Sequence, residues 1–380
     1  MVQSLSDALR KFPRVGISRA GTPLELMARL TDFFGGSRLW VKREDLTGAS
    51  FGGNKLRKLD YVLHEAVTSG ADTLVSGGVV QSNSQRQVAA AAAKLGLACH
   101  LAVYHGRLAP PTPEYERSGN ALLNRLFGAE THDVPWDGDR NGAIGALCEE
   151  LKDAGKRPYL VPYGVSSPLG AVGYASAIDE IFTQSRELGF RPTAIVHCSG
   201  SAATQAGLIV GAALATPETR IVGIDIAAEP ERVRADVIEY GHGAAAMLGT
   251  TLREADVEVV AGHAGPAYGV PHQATIDAIK IAGTLEALAL DPVYSGKGLA
   301  GLIALIHSGR WPKDSDIVFI HTGGAPALRL RQRPGLVSYR VATRTPEPTK
   351  IEPVTLRSHR AALSEERKRR ARAASSTQTP

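Results

Sequence analysis

Strand-like and helix-like runs alternate along most of this chain, and that alternation leaves few folds open. Runs rich in β-branched and other apolar residues read as strands at 39–44, 72–76, 98–104, 131–134, 159–162, 194–198, 220–226, 257–260 and 316–321. Between them a 3.6-residue period reads as helices, including 55–69, 84–95, 169–188, 202–215, 272–289 and 299–307. A strand followed by a helix and another strand pairs in parallel, because the helical crossover returns the chain to the same end of the sheet. Nine strands are too many for one compact unit of this kind. The expectation is an α/β fold with two open, twisted, mostly parallel sheets covered by helices. The break between them is expected at Tyr163-Gly-Val-Ser-Ser-Pro168, which is rich in turn residues.

Length and charge bound the rest. The 380 residues suffice for two cores, and 43% apolar with 21% charged residues is ordinary for a globular protein. The net charge of +5 is not a property of the body. From Arg329 to the end there are 13 Lys and Arg against 4 Asp and Glu, which leaves the first 328 residues at −4. The reading is a mildly acidic globule with a basic, disordered tail over 329–380, and no nucleic-acid binding by the core. No apolar run reaches the ~18 residues of a membrane span. The N-terminus has no signal-peptide pattern, so a cytoplasmic location is the expectation. Cys99, Cys148 and Cys198 are far apart and read as buried free thiols, and no His pair has zinc spacing.

Four segments carry chemistry. Phe51-Gly-Gly-Asn-Lys-Leu-Arg-Lys58 sets Lys55 at a helix start after two glycines. A lysine presented this way suits a Schiff base with an aldehyde cofactor, although a solvated lysine is the plainer alternative. Ser76-Gly-Gly-Val-Val-Gln-Ser-Asn-Ser84 ends a strand and puts Ser82 and Asn83 at a helix N-terminus, as an anion site or a simple cap. Cys198-Ser-Gly-Ser-Ala-Ala-Thr-Gln-Ala-Gly207 has the small and hydroxyl residues of a phosphate cup, without the lysine of a nucleoside-triphosphate loop. His321-Thr-Gly-Gly-Ala-Pro326 is a turn whose glycines would let backbone pass close to a flat ring. Tyr268 and Tyr294 stand in loops fixed by Gly and Pro. Gly296-Lys-Gly-Leu-Ala-Gly301 matches a dinucleotide fingerprint but follows a helical pattern, so it is set aside. Gly207 and Gly211 read as close helix packing.

Together these motifs resemble the family of 1-aminocyclopropane-1-carboxylate deaminases and D-cysteine desulfhydrases. The likeness rests on Gly52-Gly-Asn-Lys-Leu-Arg-Lys-Leu, Gln81-Ser-Asn-x-x-Arg-Gln-Val-Ala, Tyr268-Gly-Val-Pro, Asp291-Pro-Val-Tyr-Ser-Gly-Lys and His321-Thr-Gly-Gly-Ala-Pro-Ala-Leu. It covers about residues 10–328. The resemblance implies a pyridoxal 5'-phosphate enzyme of fold type II, the tryptophan-synthase-β-like fold. It implies a large cofactor-binding domain of residues 1–56 and 169–328, and a small domain of residues 57–168. Lys55 would hold the cofactor. Ser201, Ala202, Ala203 and Thr204 would take its phosphate, with Asn54 and Lys58 nearby. Ser82, Asn83 and Gln81 would take the substrate carboxylate, with Ser82 close enough to assist proton transfer. Tyr268 and Tyr294 would face the substrate, and Ser295 and Thr322 the cofactor ring and substrate. A homodimer acting on a small amino acid is the expectation.

Two positions separate the branches of that family. Its deaminases carry Glu where this chain has Ser295 and Leu where it has Thr322. A carboxylate beside the pyridine nitrogen keeps it protonated and makes the ring a strong electron sink, which opening a cyclopropane demands. A hydroxyl there suffices when the leaving group is a thiolate. The resemblance therefore implies β-elimination of D-cysteine to pyruvate, ammonia and sulfide, with no metal. The alternatives are the cyclopropane deaminase, a cysteate sulfo-lyase, and a non-catalytic protein that binds the cofactor or an amino acid.

Overall fold

Among the described residues, ten strands, joined in parallel with a single exception, build two separate sheets. The computed structural model describes residues 4–19, 21–106 and 112–330. The larger sheet has the order β1 (Leu24–Leu26), β2 (Arg38–Lys42), β10 (Asp316–Ile320), β7 (Ala194–Ser199), β8 (Arg220–Asp225) and β9 (Glu258–Val260). The smaller sheet has the order β5 (Glu130–Pro135), β4 (Ala98–His105), β3 (Thr73–Val79) and β6 (Pro158–Leu160). Among these strands β1 and β2 pair antiparallel. The fold class is that expected: two mostly parallel sheets flanked by helices. The last strand, β10, enters between β2 and β7 in the middle of the larger sheet.

Three expectations are corrected. β1 went unread because Leu-Glu-Leu is too short to show alternation; only its pairing with Trp40–Lys42 makes it a strand. The helix expected at 272–289 spans Gln273–Glu286 and stops as Ala287 turns left-handed at φ 54°. Leu288 and Leu290 then bury in the core instead. The helix expected at 299–307 begins earlier, at Ser295, and takes the fingerprint-like glycines inside it. A Cβ on Gly301 would lie 2.6 Å from Ile224, so this glycine lets the helix sit close on β8. Gly207 does the same between the helices Pro168–Glu187 and Ala203–Ala215, where a Cβ would fall 2.0 Å from the Ala171 carbonyl oxygen. The basic tail, from 331 on, lies outside the described residues. Among the described residues no helix is long and apolar enough to cross a membrane.

One buried charge cluster ties the larger sheet to its helices. Arg57, on the helix Asn54–Thr68, donates to both Glu44 oxygens at 2.8 Å and to Glu180 at 2.9 Å. Lys42, at the end of β2, donates to Glu180 at 3.0 Å, Gln184 at 2.8 Å and the Thr22 carbonyl at 2.7 Å. Thr22 and Tyr174 hydroxyls donate to Glu44. Burial alone would push Glu180 up; Arg57 and Lys42 outweigh it and hold the carboxyl at about 2. The two cations and two carboxylates balance, and their remaining polar positions are filled, so the cluster tolerates burial. Removing one member strands its partner. Glu44→Ala is expected to cost about 3–5 kcal/mol in urea unfolding. A cost below ~1 kcal/mol would show that the cluster does not hold these elements together.

Candidate active site

The carboxyl ends of β3, β7 and β10 open onto one cleft, the place where parallel sheets present ligand sites. The cleft has a volume of about 790 Å³ including its open mouth. Gly52 (φ 59°) and Gly53 (φ 123°) lead into the helix Asn54–Thr68. A Cβ on Gly52 would lie 2.0 Å from the Asp45 carbonyl oxygen, and one on Gly53 2.7 Å from the Gln87 amide nitrogen. Only glycine fits either position, and the tight entry aims Lys55 at the cleft. Lys55 Nζ donates to Asn54 Oδ1 at 3.0 Å. Burial lowers its ammonium to about 8.

The opposite wall starts from β3. Ser82 caps the helix Asn83–Leu95, its Oγ accepting from Gln85 N at 3.2 Å. That leaves the hydroxyl proton free to donate. Asn83 Oδ1 accepts from Asn120 at 2.9 Å, so its NH2 group is the end left for a ligand. Residues 199–204 form the floor. Ala202 has φ 67° and ψ −47°, and Ala203 N donates to Ser201 O across it, a γ-turn of the strained hand. The helix Ala203–Ala215 that follows has no side-chain cap. Asn54 donates to Thr204 Oγ1 at 3.1 Å.

Tyr268, Tyr294 and Thr322 close the third side. The two phenol oxygens share a hydrogen bond, and their rings meet edge-on with centroids 6.0 Å apart. Burial pushes the Tyr294 phenol well up. Thr322 Oγ1 lies 3.1 Å from Cys198 Sγ, a thiol that burial raises to about 11.

Of the residues read from the sequence, Asn54, Lys55, Ser82, Asn83, Ser201, Ala202, Thr204, Tyr268, Tyr294 and Thr322 line the cleft together. Four do not. Gln81 is turned away: its amide donates to the carbonyls of Tyr115 and Ser118 and accepts from Asn120 N, fixing the neighbouring loop. Ser295 is fully buried and its hydroxyl donates to Asp291 at 2.7 Å, so it stands behind the wall. Lys58 is also behind it, fully buried and donating to the Gly164 carbonyl at 3.2 Å. Ala203 is buried in the first turn of its helix. All three cysteines are free and buried, as expected, although Cys198 also lines the cleft.

The cleft holds residues the sequence reading passed over, chiefly Ser84, Tyr163, Arg140 and Arg232. Arg140 follows β5 in a Gly-rich turn, so the strand-end rule had the means to find it. Arg232 lies on the helix Pro230–Leu248 and carried no signal. Both arginines bond Asp236, at 3.0 and 2.6 Å.

The residues present fit a phosphorylated aldehyde. A helix N-terminus without a side-chain cap offers N–H groups to a phosphate. Ser84 and Ser199 belong to the cleft lining, and their hydroxyls are buried without partners. Lys58 is a buried amine beside Gly164, and Lys55 is a lysine whose neutral form is within reach near pH 8.

Comparison with known proteins agrees. Residues 17–323 match the family described as pyridoxal-phosphate dependent enzyme. A 1-aminocyclopropane-1-carboxylate deaminase of Methylobacterium nodulans is 41% identical over 327 residues, 84% of this chain and 97% of that protein. A D-cysteine desulfhydrase of Yersinia enterocolitica is 40% identical over 328 residues, 86% of this chain and 98% of that protein. The crystal structure of an ACC deaminase homologue superposes with a TM-score of 0.76 at 34% identity, covering 86% of this chain and 96% of that one.

Because only the neutral amine attacks an aldehyde, apoprotein should take up pyridoxal phosphate faster as pH rises, with a midpoint at about 8. Stopped-flow absorbance on adding the cofactor measures this. A midpoint near 10.5, the ordinary lysine value, would mean that Lys55 is not desolvated. Lys55→Ala is expected to lose the visible band and all turnover.

Proposed function

We propose that this chain, which belongs to the pyridoxal-phosphate-dependent enzyme family, is a carbon–sulfur lyase that converts D-cysteine and water to pyruvate, ammonia and hydrogen sulfide. The cofactor supplies an electron sink that stabilises negative charge at the substrate Cα. Lys55 would hold the aldehyde end of the cofactor, and residues 200–204, with Asn54 through Thr204, would hold its phosphate. The protein's own groups do the remaining work. The Ser82 hydroxyl and the Asn83 NH2 group bind the substrate carboxylate and so orient the Cα–H bond. Lys55 Nζ, once released by the substrate amine, takes the Cα proton, since burial lowers it to about 8 and makes its neutral form accessible. Tyr294, whose phenol is held protonated well above its usual range, donates toward the departing sulfur, with Tyr268 sharing its proton. The Cys198 thiol stays protonated and serves as wall, not nucleophile.

A single observation carries the choice of reaction. Among the described residues that line the cleft, none is a carboxylate. Without one, no lining group would keep the cofactor's pyridine nitrogen charged, so the sink would be the weaker kind and would favour a bond whose leaving group is already good. Ser295 supports the same reading from behind the wall, its hydroxyl committed to Asp291.

A second reading has its own support. Arg140 and Arg232 line the same cleft, and a pair of guanidinium groups suits an anionic β-substituent such as the sulfonate of cysteate. Their bonds to Asp236 would have to be shared with it.

The test is a side-by-side measurement of 2-oxo acid release from D-cysteine, L-cysteine, cysteate and 1-aminocyclopropane-1-carboxylate. D-Cysteine is expected to exceed the cyclopropane acid in kcat/KM by at least about 100-fold, roughly 2.7 kcal/mol of transition-state discrimination. A larger value on the cyclopropane acid would overturn the lyase reading and leave the cofactor assignment standing. If cysteate is the best substrate, Arg232→Ala should lower its kcat/KM at least about tenfold more than that of D-cysteine.

A further inference from the structure

We propose that His100, His132 and Glu130 form a binding site for one divalent transition-metal ion of the zinc class, on the two outer strands of the smaller sheet. His100 lies on β4; Glu130 and His132 lie on β5, the edge strand of that sheet. The parallel register sets Glu130 opposite His100, with His132 two residues on, opposite Ala102. Residues two apart on a strand share a face, so the carboxylate and both rings meet on one side.

The distances suit a metal. His100 Nδ1 is 3.1 Å from His132 Nε2. Glu130 oxygens lie 3.8 Å from the first nitrogen and 3.7 Å from the second. A tetrahedral zinc ion with bonds of about 2.0–2.1 Å spaces its ligand atoms about 3.3 Å apart. The separations, the last two measured to different Glu130 oxygens, bracket that spacing, and small side-chain rotations bring the two nitrogens and one carboxylate oxygen onto it. The rings stack at 5.3 Å with an interplanar angle of 25°, and one ligand atom from each of the three residues lies within 4.8 Å of the others. In the absence of a metal one ring must keep a proton between them.

The donor set selects the ion. Two imidazoles and one carboxylate suit zinc, copper and nickel, whereas magnesium and calcium demand an oxygen shell. The rings are half-buried and Glu130 is 65% exposed on its side chain, which leaves room for a fourth ligand from solvent. The Lys156 charge opposes a cation at His100, and the Glu130 carboxylate favours one. None of the three residues lines the cleft. His100 sits near the start of β4, whereas the cleft opens at the carboxyl ends of strands. The ion would therefore clip an edge strand to its neighbour, adding stability and covering an exposed sheet margin, without entering the reaction.

The experiment uses chelator-dialysed holoenzyme titrated with Zn²⁺ alone, with calorimetry and bound metal measured after dialysis. One equivalent with micromolar affinity is expected, together with a Tm raised by a few degrees. Glu130→Gln, a change at an exposed side chain, should weaken binding at least about tenfold while keeping wild-type turnover. His132→Asn should abolish it. Co²⁺ in place of Zn²⁺ should give the visible bands of a tetrahedral site in the wild type and lose them in His132→Asn. Absence of stoichiometric binding in the wild type would overturn the proposal. So would equal affinity in both variants, since the ion would then lie elsewhere.

Discussion

Arg57 is the residue on which the site's geometry depends. Its guanidinium, out of reach of water, spans Glu44 beside β2 and Glu180 on the helix Pro168–Glu187. It lies two residues beyond Lys55 on the same helix. Fixing one fixes the direction of the other, because positions on a helix are rigidly related. A buried ion group is weak evidence for net stability, since apolar packing would stabilise as well. What it supplies is a single arrangement: rotating the helix would leave Glu44 and Arg57 buried without a charge partner, since only Glu180 keeps one, in Lys42. The glycines at 52 and 53 then allow the chain to enter that helix without collision.

The cleft follows from where the strands end. β3 delivers Ser82 and Asn83, β7 delivers residues 199–204, and β10 delivers Thr322. Each strand end becomes a turn and then, for the first two, a helix N-terminus whose free N–H groups favour an anion. Cations sit close by: Lys55, Arg140 and Arg232 line the cleft, and Lys58 lies behind it. A phosphate and a carboxylate both find partners there. Strain at Ala202 belongs to the same design, since a helix start bent this way turns the cup toward the cleft.

The wall near Ser295 has two layers, and their chemistry differs. Thr322 faces the cleft beside Cys198. Ser295 and Asp291 lie deeper, bonded to each other, with Asp291 also accepting from the backbone of Val293, Tyr294 and Ser295. The carboxylate of this region is thus spent on holding a loop, the one that presents Tyr294. A side chain that reads in sequence as part of the site acts in the fold as the support for its neighbour.

Local sequence determined the fold class and pointed to most of the residues that line the candidate cleft. The central strands are legible because a buried parallel strand must be an apolar run, and the glycine and hydroxyl clusters because tight turns and anion cups admit few residue types. The Gly-x-Gly run at 296–301 is separable from a nucleotide loop by the helical pattern before it. Tertiary structure alone decided what depends on partners distant in the chain. β1 exists only by pairing with β2. Gln81 and Ser295 are directed away from the cleft by Asn120 and Asp291. Arg140 and Arg232 meet over Asp236 although 92 positions separate them in sequence. His100 and His132 have no metal spacing along the chain, yet they are brought to 3.1 Å by a register set between two strands. Periodicity and turn chemistry are local and leave a mark on sequence; the direction a side chain takes is fixed by what the fold places opposite it.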